Sequence, residues 1–391
     1  MPSLFLGNFD FEHRLADPVR QLPTKLARIN AELAASWLAI ADDGDYLWTP
    51  QPIEASFFEQ AVRDGLPRVV PVVSFDRVPR GVECVPWGWT DEIRQLCDTH
   101  GWIHNDPPHE AVRAANSRRL SAGLEREWRV GLDFAGEADS IEQVERFLSF
   151  HDPTTRWVIK AEFGMSGRER LLGRGPLTTA DRYWIARRLS ADGVVFFEPW
   201  VERLDEVGIQ IDVPRRGEPQ LIDITPLLVN RQGQYAGSWF QSLELSYSRF
   251  FHGPASWDLA IDVALRSARR VQDLGYVGPL GIDAMRYRSA DGSLRLRPLQ
   301  DINARWTMGR LSLGWRRLFP SVLAGCWLHG PRRLSETETG SGAGSETGTS
   351  TLDEFRELLP RTQQRGRGIP TSPEMVGDQP ASRHSYVWID R

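Results

Sequence analysis

A chain of 391 residues, 41% hydrophobic and 25% charged, holds enough material for two or three domains with real cores. Its net charge of −5 gives no electrostatic footprint for nucleic acid or an anionic membrane, and its longest apolar runs (Val69 to Phe75, Gly193 to Phe197) are strand-length. Three widely spaced cysteines (Cys84, Cys97, Cys326) suggest neither a disulfide framework nor a zinc site, and Met1-Pro2-Ser3-Leu4-Phe5-Leu6 lacks the features of a signal peptide, so a cytoplasmic protein is expected.

From the start, short apolar runs alternate with amphipathic stretches. Leu4 to Asn8 reads as a strand, Asp17 to Ala39 as helical, Trp37 to Ala41 as apolar and Ile53 to Val62 as helical. Val69 to Phe75 reads as a buried strand and Thr90 to His100 as a helix. This βα alternation predicts a parallel sheet with covering helices over residues 1–115. Gly7-Asn8-Phe9-Asp10 is not a dinucleotide fingerprint, so a Rossmann-like shape is expected without nicotinamide binding.

Pro107 and Pro108 mark a joint. Beyond it come predicted helices at Leu120 to Trp128 and Ile141 to Phe150, a strand at Arg156 to Ala161 and a glycine-containing loop. A helix at Thr179 to Leu189 and a strand at Gly193 to Phe197 follow, then paired strands at Val207 to Val213 and Gln220 to Thr225 and a helix at Ala255 to Leu274. Apart from Ala343 and Leu352, residues 335–352 are Ser, Thr, Gly and Glu with almost nothing to bury, which predicts a disordered linker. Residues 353–391 form a tail in which Tyr386-Val387-Trp388-Ile389 suggests a strand returning to the body.

Three constellations carry chemistry. Gly281 to Arg288 and Leu294 to Asn303 flank a turn sequence, Ser289-Ala290-Asp291-Gly292-Ser293, and so predict a hairpin. Ile302 and Ala304 alternate with Asp301, Asn303 and Arg305, which puts the three polar side chains on one face. A tight Asp291-Gly292 turn would set Asp283 opposite Gln300, turned away from Asp301. A three- or five-residue loop, or a bulge near Pro298, would bring Asp283, Asp301 and Asn303 together, and the second outcome is expected. Such a face is a solvated hairpin surface or a site for a divalent cation.

The second constellation is Trp157-Val158-Ile159-Lys160, followed by a loop containing Gly164, Gly167 and Arg168. Lysine occurs only at 25 and 160, so a lysine delivered by an apolar strand beside glycines points to an anion, with an ordinary turn as the alternative. In the third, a buried strand runs into Glu198-Pro199-Trp200-Val201. There the Pro199 carbonyl and the Val201 N–H can hold an adenine edge, and Glu206 can accept from ribose hydroxyls, with a core strand ending in a plain turn as the alternative.

In this order the motifs resemble the ATP-grasp superfamily over about 116–310, and its Glu-x-Asn-x-Arg subset in particular, as in biotin carboxylase and carbamoyl phosphate synthetase. The resemblance implies an α/β protein, α+β in its ATP-binding part. A Rossmann-like domain (1–115) would precede an ATP-grasp domain (116–330) with a mobile lid at about 125–200. It implies Arg118 as the first phosphate-binding cation, with Arg119 its competitor, and Lys160 as the second. Gly164 to Arg168 would form the lid loop, Glu198 to Val201 the adenine hinge and Glu206 the ribose acid. Asp283, Asp301 and Asn303 would hold one or two Mg²⁺, and Arg305 would contact the substrate or its phosphorylated intermediate. Asp301 departs from the usual glutamate by one methylene.

The implied reaction activates a carboxylate as an acyl phosphate and joins it to an amine, with ATP and Mg²⁺ as cofactors and Lys160 and Arg305 as catalytic groups. Phosphoryl transfer of this kind needs positioning and charge stabilisation, not a protein nucleophile. The alternatives are an ATP-dependent kinase or carboxylating member of the superfamily, and a nucleotide-binding regulatory protein without turnover. Partners are expected to be small-molecule acids and amines, with no nucleic acid or membrane and with a homodimer left open. Arg231 to Ser238 and Tyr247 to His252 read either as acceptor-pocket loops or as plain connections.

Overall fold

The computed structural model describes residues 1–18, 24–164, 169–229, 233–241, 256–289, 291–320, 322, 324–331 and 366–389. Its first sheet has four parallel strands, β1 (Ser3–Leu6), β2 (Tyr46–Trp48), β3 (Val70–Val72) and β4 (Glu83–Pro86), in the order β3-β2-β1-β4. Helices α1 (Phe11–Ala16) and α2 (Thr24–Leu33) cross from β1 to β2, α3 (Ala55–Arg63) from β2 to β3 and a short 3-10 helix (Phe75–Arg77) from β3 to β4, and α4 (Asp91–His100) follows β4. The ends of α4 follow from its sequence. Thr90 accepts from the Ile93 N–H, Asp91 and Glu92 sit in the first turn, and Gly101 closes the helix at φ 65°.

Two elements differ from expectation. Val69 to Phe75 is not a buried strand, because only Val70–Val72 pairs, at the sheet edge, with Val70 42% exposed. Pro71 has no N–H to offer a second neighbour, which confines the segment to an edge. The apolar run at Trp37 falls in a buried 3-10 helix (Ala34–Ala39).

Helices α5 (His109–Asn116) and α6 (Arg118–Trp128) follow, divided at Ser117, whose side chain caps α6 by accepting from the Arg119 N–H. Next comes a four-stranded antiparallel sheet of β5 (Gly136–Ala138), β6 (Arg156–Lys160), β7 (Arg170–Arg174) and β8 (Val195–Pro199), in the order β5-β8-β6-β7. With α7 (Ile141–Ser149) and α8 (Thr179–Asp192) it builds its own core around Val144, Trp157, Ile159, Ile185 and Phe197. Gly193 terminates α8 at φ 70°, so the strand begins at Val195 and not at Gly193.

The largest sheet contains β9 (Glu202–Val213), β10 (Gln220–Val229), β11 (Tyr235–Gln241), β12 (Gly278–Arg288), β13 (Leu294–Asn303), β14 (Ala324–Pro331), β15 (Arg367–Pro370) and β18 (Arg383–Ile389). Its order is β13-β12-β9-β10-β11-β14-β18-β15. The small strands β16 (Met375–Val376) and β17 (Gln379–Pro380) form a separate hairpin. Residues 366–389 are thus integral to the body, and the expected linker at 335–352 lies outside the described residues.

Period-two alternation decides where a site can form. Val207, Ile209 and Ile211 on β9 and Ile282 and Ala284 on β12 share a core with Ala260, Val263, Ala264 and Val271 of α9 (Asp258–Asp273). The intervening Glu206, Gly208, Gln210 and Asp283 line a cleft instead. Helix α10 (Met308–Leu318), capped by Thr307, packs on the 3-10 helix Ala34–Ala39 and on β10 and β11, and so joins the elements around the first sheet to the largest sheet.

Candidate functional site

The β12–β13 hairpin sets the geometry. Arg288 pairs with Leu294, so residues 289–293 form a five-residue connection, in which the Asp291 carboxylate accepts from the Ser293 N–H at 2.9 Å. Between Met285↔Arg297 and Asp283↔Asp301 the register slips, and β13 uses two more residues than β12. Asp283 therefore stands directly opposite Asp301. Leu299, Ile302 and Ala304 are buried, while Gln300, Asp301 and Asn303 face a cavity of about 190 Å³ that Arg118, Lys160 and Gly164 also line.

Burial, and then the facing Asp301, push the Asp283 carboxyl up to about 7; Arg305 and a hydrogen bond from Asn303 Nδ2 at 3.2 Å oppose the rise. Arg118, at the start of α6, donates from Nη1 to Asp301 Oδ2 at 3.0 Å and from Nε to the Ala161 carbonyl at 3.1 Å. Its competitor Arg119 points elsewhere, donating to the Asp192 carbonyl at 3.2 Å and facing Glu162. Among the described residues no cluster of three or more His, Cys, Asp or Glu could ligate a metal. Two carboxylates plus the Asn303 oxygen nevertheless suit Mg²⁺, which takes one or two protein carboxylates and completes its octahedron with water and phosphate.

Lys160 closes β6 with its Nζ 2.7 Å from Glu198 Oε2. Glu198 is also gripped by Arg297, Nη1 to Oε2 at 3.1 Å and Nη2 to Oε1 at 3.0 Å. Arg297 in turn forks onto Glu125 of α6, Nε to Oε1 at 2.6 Å and Nη2 to Oε2 at 2.9 Å. Burial works against the Glu198 carboxylate, but Arg297 and Lys160 outweigh it and hold its pKa far below the usual range. Burial lowers the Lys160 ammonium, and Glu198 opposes that. Arg297 and Glu125 escape sequence reasoning. The only signal is a charge between the apolar Leu296 and Pro298, and another on the buried face of α6 beside Leu124.

Past Pro199 the chain turns on Trp200, whose N–H donates to the Arg156 carbonyl at 2.9 Å and whose ring lies under Arg156 and Arg203. Val201 packs with Leu132, Met285 and Tyr287. Glu206 lies in the cleft, bonded by Arg203 Nη1 at 3.0 Å. Gly167 and Arg168 of the expected lid loop lie outside the described residues.

Arg305 is held from three sides. Its Nε donates to Glu12 Oε1 at 2.6 Å, Nη2 to Asn303 Oδ1 at 2.9 Å and Nη1 to the Trp306 carbonyl at 2.8 Å, and its guanidinium lies 5.2 Å from the Trp87 ring centre. Glu12 belongs to α1 and Trp87 follows β4, so the elements around the first sheet help to build this end. Asn116 pins the strand exit, accepting from the Ala304 N–H at 2.9 Å and donating to its carbonyl at 3.2 Å. Of the expected acceptor loops, Gly233 and Tyr235 line the cavity, while 231–232 and 247–252 lie outside the described residues.

No family profile matches the chain, and no curated protein matches it by sequence. Among solved structures, it is similar to a biotin carboxylase–ATP complex from Campylobacter jejuni, with 11% identity, 79% of this chain and 71% of that chain covered, and a TM-score of 0.47. An N5-carboxyaminoimidazole ribonucleotide synthetase from Thermus thermophilus gives 14% identity, 100% and 94% coverage, and a TM-score of 0.48. An N5-carboxyaminoimidazole synthetase from Staphylococcus aureus complexed with ADP gives 9% identity, 92% and 91% coverage, and a TM-score of 0.48. None of these likenesses assigns a reaction to this chain. No helix among the described residues is long and apolar enough to cross a membrane.

Proposed function

We propose that this chain is an ATP-grasp enzyme, an ATP- and Mg²⁺-dependent ligase that activates a carboxylate as an acyl phosphate and joins it to an amine. Residues 1–115 act as the preceding domain and about 125–200 as the lid. The observation that carries the reading is the in-register pair Asp283–Asp301, met in one cavity by two cations from different elements, Arg118 and Lys160. Two facing carboxylates with cations at their margin suit a metal–triphosphate and little else of that size.

In this reading Asp283, Asp301 and Asn303 would hold Mg²⁺, which would supply charge neutralisation at the phosphates. Arg118 and Lys160 bind and align the triphosphate, and Gly164 allows backbone to approach it. The hinge from Glu198 to Val201 holds the base through the Pro199 carbonyl and the Val201 N–H, and Glu206 accepts from the ribose. Arg305 fixes the acid substrate or its phosphorylated form. The carboxylate oxygen attacks the γ-phosphorus and ADP leaves; the amine then attacks the acyl carbon and phosphate leaves, with loss of a proton.

Thermal-shift titration with Mg-ATP and Mg-ADP tests the nucleotide, since a ligand of the native state raises the melting temperature by mass action. ADP release with pooled acids and amines, read with product masses, tests the reaction. An amide product supports the ligase, whereas a phosphorylated or carboxylated product transfers the site to the other chemistries of the superfamily. No stabilisation by millimolar Mg-ATP, or wild-type nucleotide affinity in Lys160→Met, would sink the proposal.

A further inference from the structure

The buried charges behind Lys160 have a purpose that its phosphate role alone does not explain. Four ionised groups from four elements sit in line: Glu125 on α6, Arg297 on β13, Glu198 on β8 and Lys160 on β6. Arg297 is 2% exposed and contacts all four carboxylate oxygens of its two partners. Lys160 contributes a single bond, to Glu198 Oε2, an oxygen that Arg297 already serves.

The asymmetry matters. A buried carboxylate that loses its only counter-ion is costly to leave behind, by several kcal/mol. If Lys160 alone held Glu198, moving its ammonium onto a phosphate would incur that penalty, and nucleotide affinity would fall accordingly. Because Arg297 keeps both Glu198 oxygens bonded, Lys160 can change partners while Glu198 stays ionised and in place. Glu125 completes the arrangement by fixing the guanidinium plane, which a bidentate fork does better than a single contact.

We propose that Arg297, oriented by Glu125, is a positioning residue that retains Glu198 so that Lys160 is free to transfer from Glu198 to the nucleotide phosphates. This rests on the nucleotide-binding reading above. The charged groups facing Glu198 are Lys160, Arg297 and, across Arg297, Glu125, while Arg126, Arg129, Asp133 and Glu137 line the adjoining cavity. Arg118 and Asp301 act electrostatically on Lys160 as well.

The test is Mg-ADP affinity at pH 6 and pH 8, with melting temperature as a check on folding, for the full chain and three variants. Wild type should itself bind more weakly at pH 6 than at pH 8, because Asp283 must ionise to hold Mg²⁺, so each variant is compared with wild type at the same pH. Arg297→Met should bind about tenfold more weakly at pH 8 and recover part of the loss at pH 6, because protonating Glu198 releases Lys160. Arg297→Met/Glu198→Gln removes the carboxylate that traps Lys160 and should return the affinity at pH 8 to within about threefold of wild type. Arg297→Lys keeps the charge without the fork and should show a smaller drop in the same direction, so it stands in if the methionine variant does not fold. Wild-type affinity in Arg297→Met or Arg297→Lys overturns the proposal. So does a loss equal at both pH values and unrelieved by Glu198→Gln, which would mark a packing defect. Failure of the wild type itself to bind Mg-ADP would instead overturn the nucleotide reading.

Discussion

Asp283 and Asp301 face each other across the β12–β13 ladder because the hairpin combines a five-residue connection with a two-residue excess at Pro298 to Gln300. A carboxyl pushed up to about 7 makes metal binding and pH one problem. Without divalent cation, folded Asp283 keeps a proton that the unfolded chain releases above about pH 4. Its contribution to stability therefore falls as pH rises from about 4 to 7 and levels off above that. Mg²⁺ needs the ionised form, so the rise in melting temperature on adding Mg²⁺ should be larger at pH 8 than at pH 6. In Asp283→Asn the pH 6 to pH 8 difference should shrink. An equal Mg²⁺ effect at both pH values would remove Asp283 from the metal set.

Removing Lys160 should barely affect folding, because Glu198 keeps both of its bonds to Arg297. Lys160→Met should cost about 1 kcal/mol or less, whereas Glu125→Leu, which strips two bonds from a buried guanidinium, should cost about 3 kcal/mol. Urea midpoints at constant m-value measure both. A Lys160→Met loss as large as that of Glu125→Leu would make the lysine structural.

Much of the site was legible because its signals are local. A lone lysine ending an apolar strand, an acid at a strand exit and an Asp-x-Asn-x-Arg alternation are readable within a few residues, and Lys160, Asp301, Asn303 and Gly164 do line one cavity. The parity of Asp283 against Asp301 was readable only as a pair of alternatives, since it depends on loop length and on the bulge. Arg297, Glu125 and Glu12 were not legible. Each takes its position from a partner more than a hundred residues away, such as Glu125 from Arg297 and Glu12 from Arg305, and no periodicity encodes such a distance. Val69 to Phe75 misled for a related reason: composition sees the valines, but Pro71 sets the edge position.

Two glycines on helices offer a matched test of packing. A Cβ at Gly314 of α10 would run into the Ala39 carbonyl and Ile40, where α10 meets the 3-10 helix, whereas one at Gly123 of α6 would meet nothing within 4 Å. Both changes gain about 1 kcal/mol of helix propensity. Gly314→Ala should still be destabilising by about 2 kcal/mol through overpacking, and Gly123→Ala should be stabilising by up to about 1 kcal/mol. Denaturation midpoints decide it, and a neutral Gly314→Ala would mean that α10 and the 3-10 helix move apart at little cost.

The Glu12–Arg305 pair ties α1 to the strand exit. Glu12 is 6% exposed and its Oε2 finds no hydrogen-bond partner, so its charge depends on Arg305. Arg305 is less dependent, since Asn303 Oδ1 and the Trp306 carbonyl hold its other nitrogens. Arg305→Met should therefore cost about 3 kcal/mol, the penalty for a buried carboxylate left alone, whereas Glu12→Gln, which leaves no orphaned charge, should cost about 1 kcal/mol. The double variant should lie well short of the sum, with a coupling energy of about 2 kcal/mol. Chemical denaturation of the four proteins gives that coupling directly. Strict additivity would show that Glu12 does not hold Arg305, and Trp87 would then line this end of the cleft while α1 leaves its arginine unoriented.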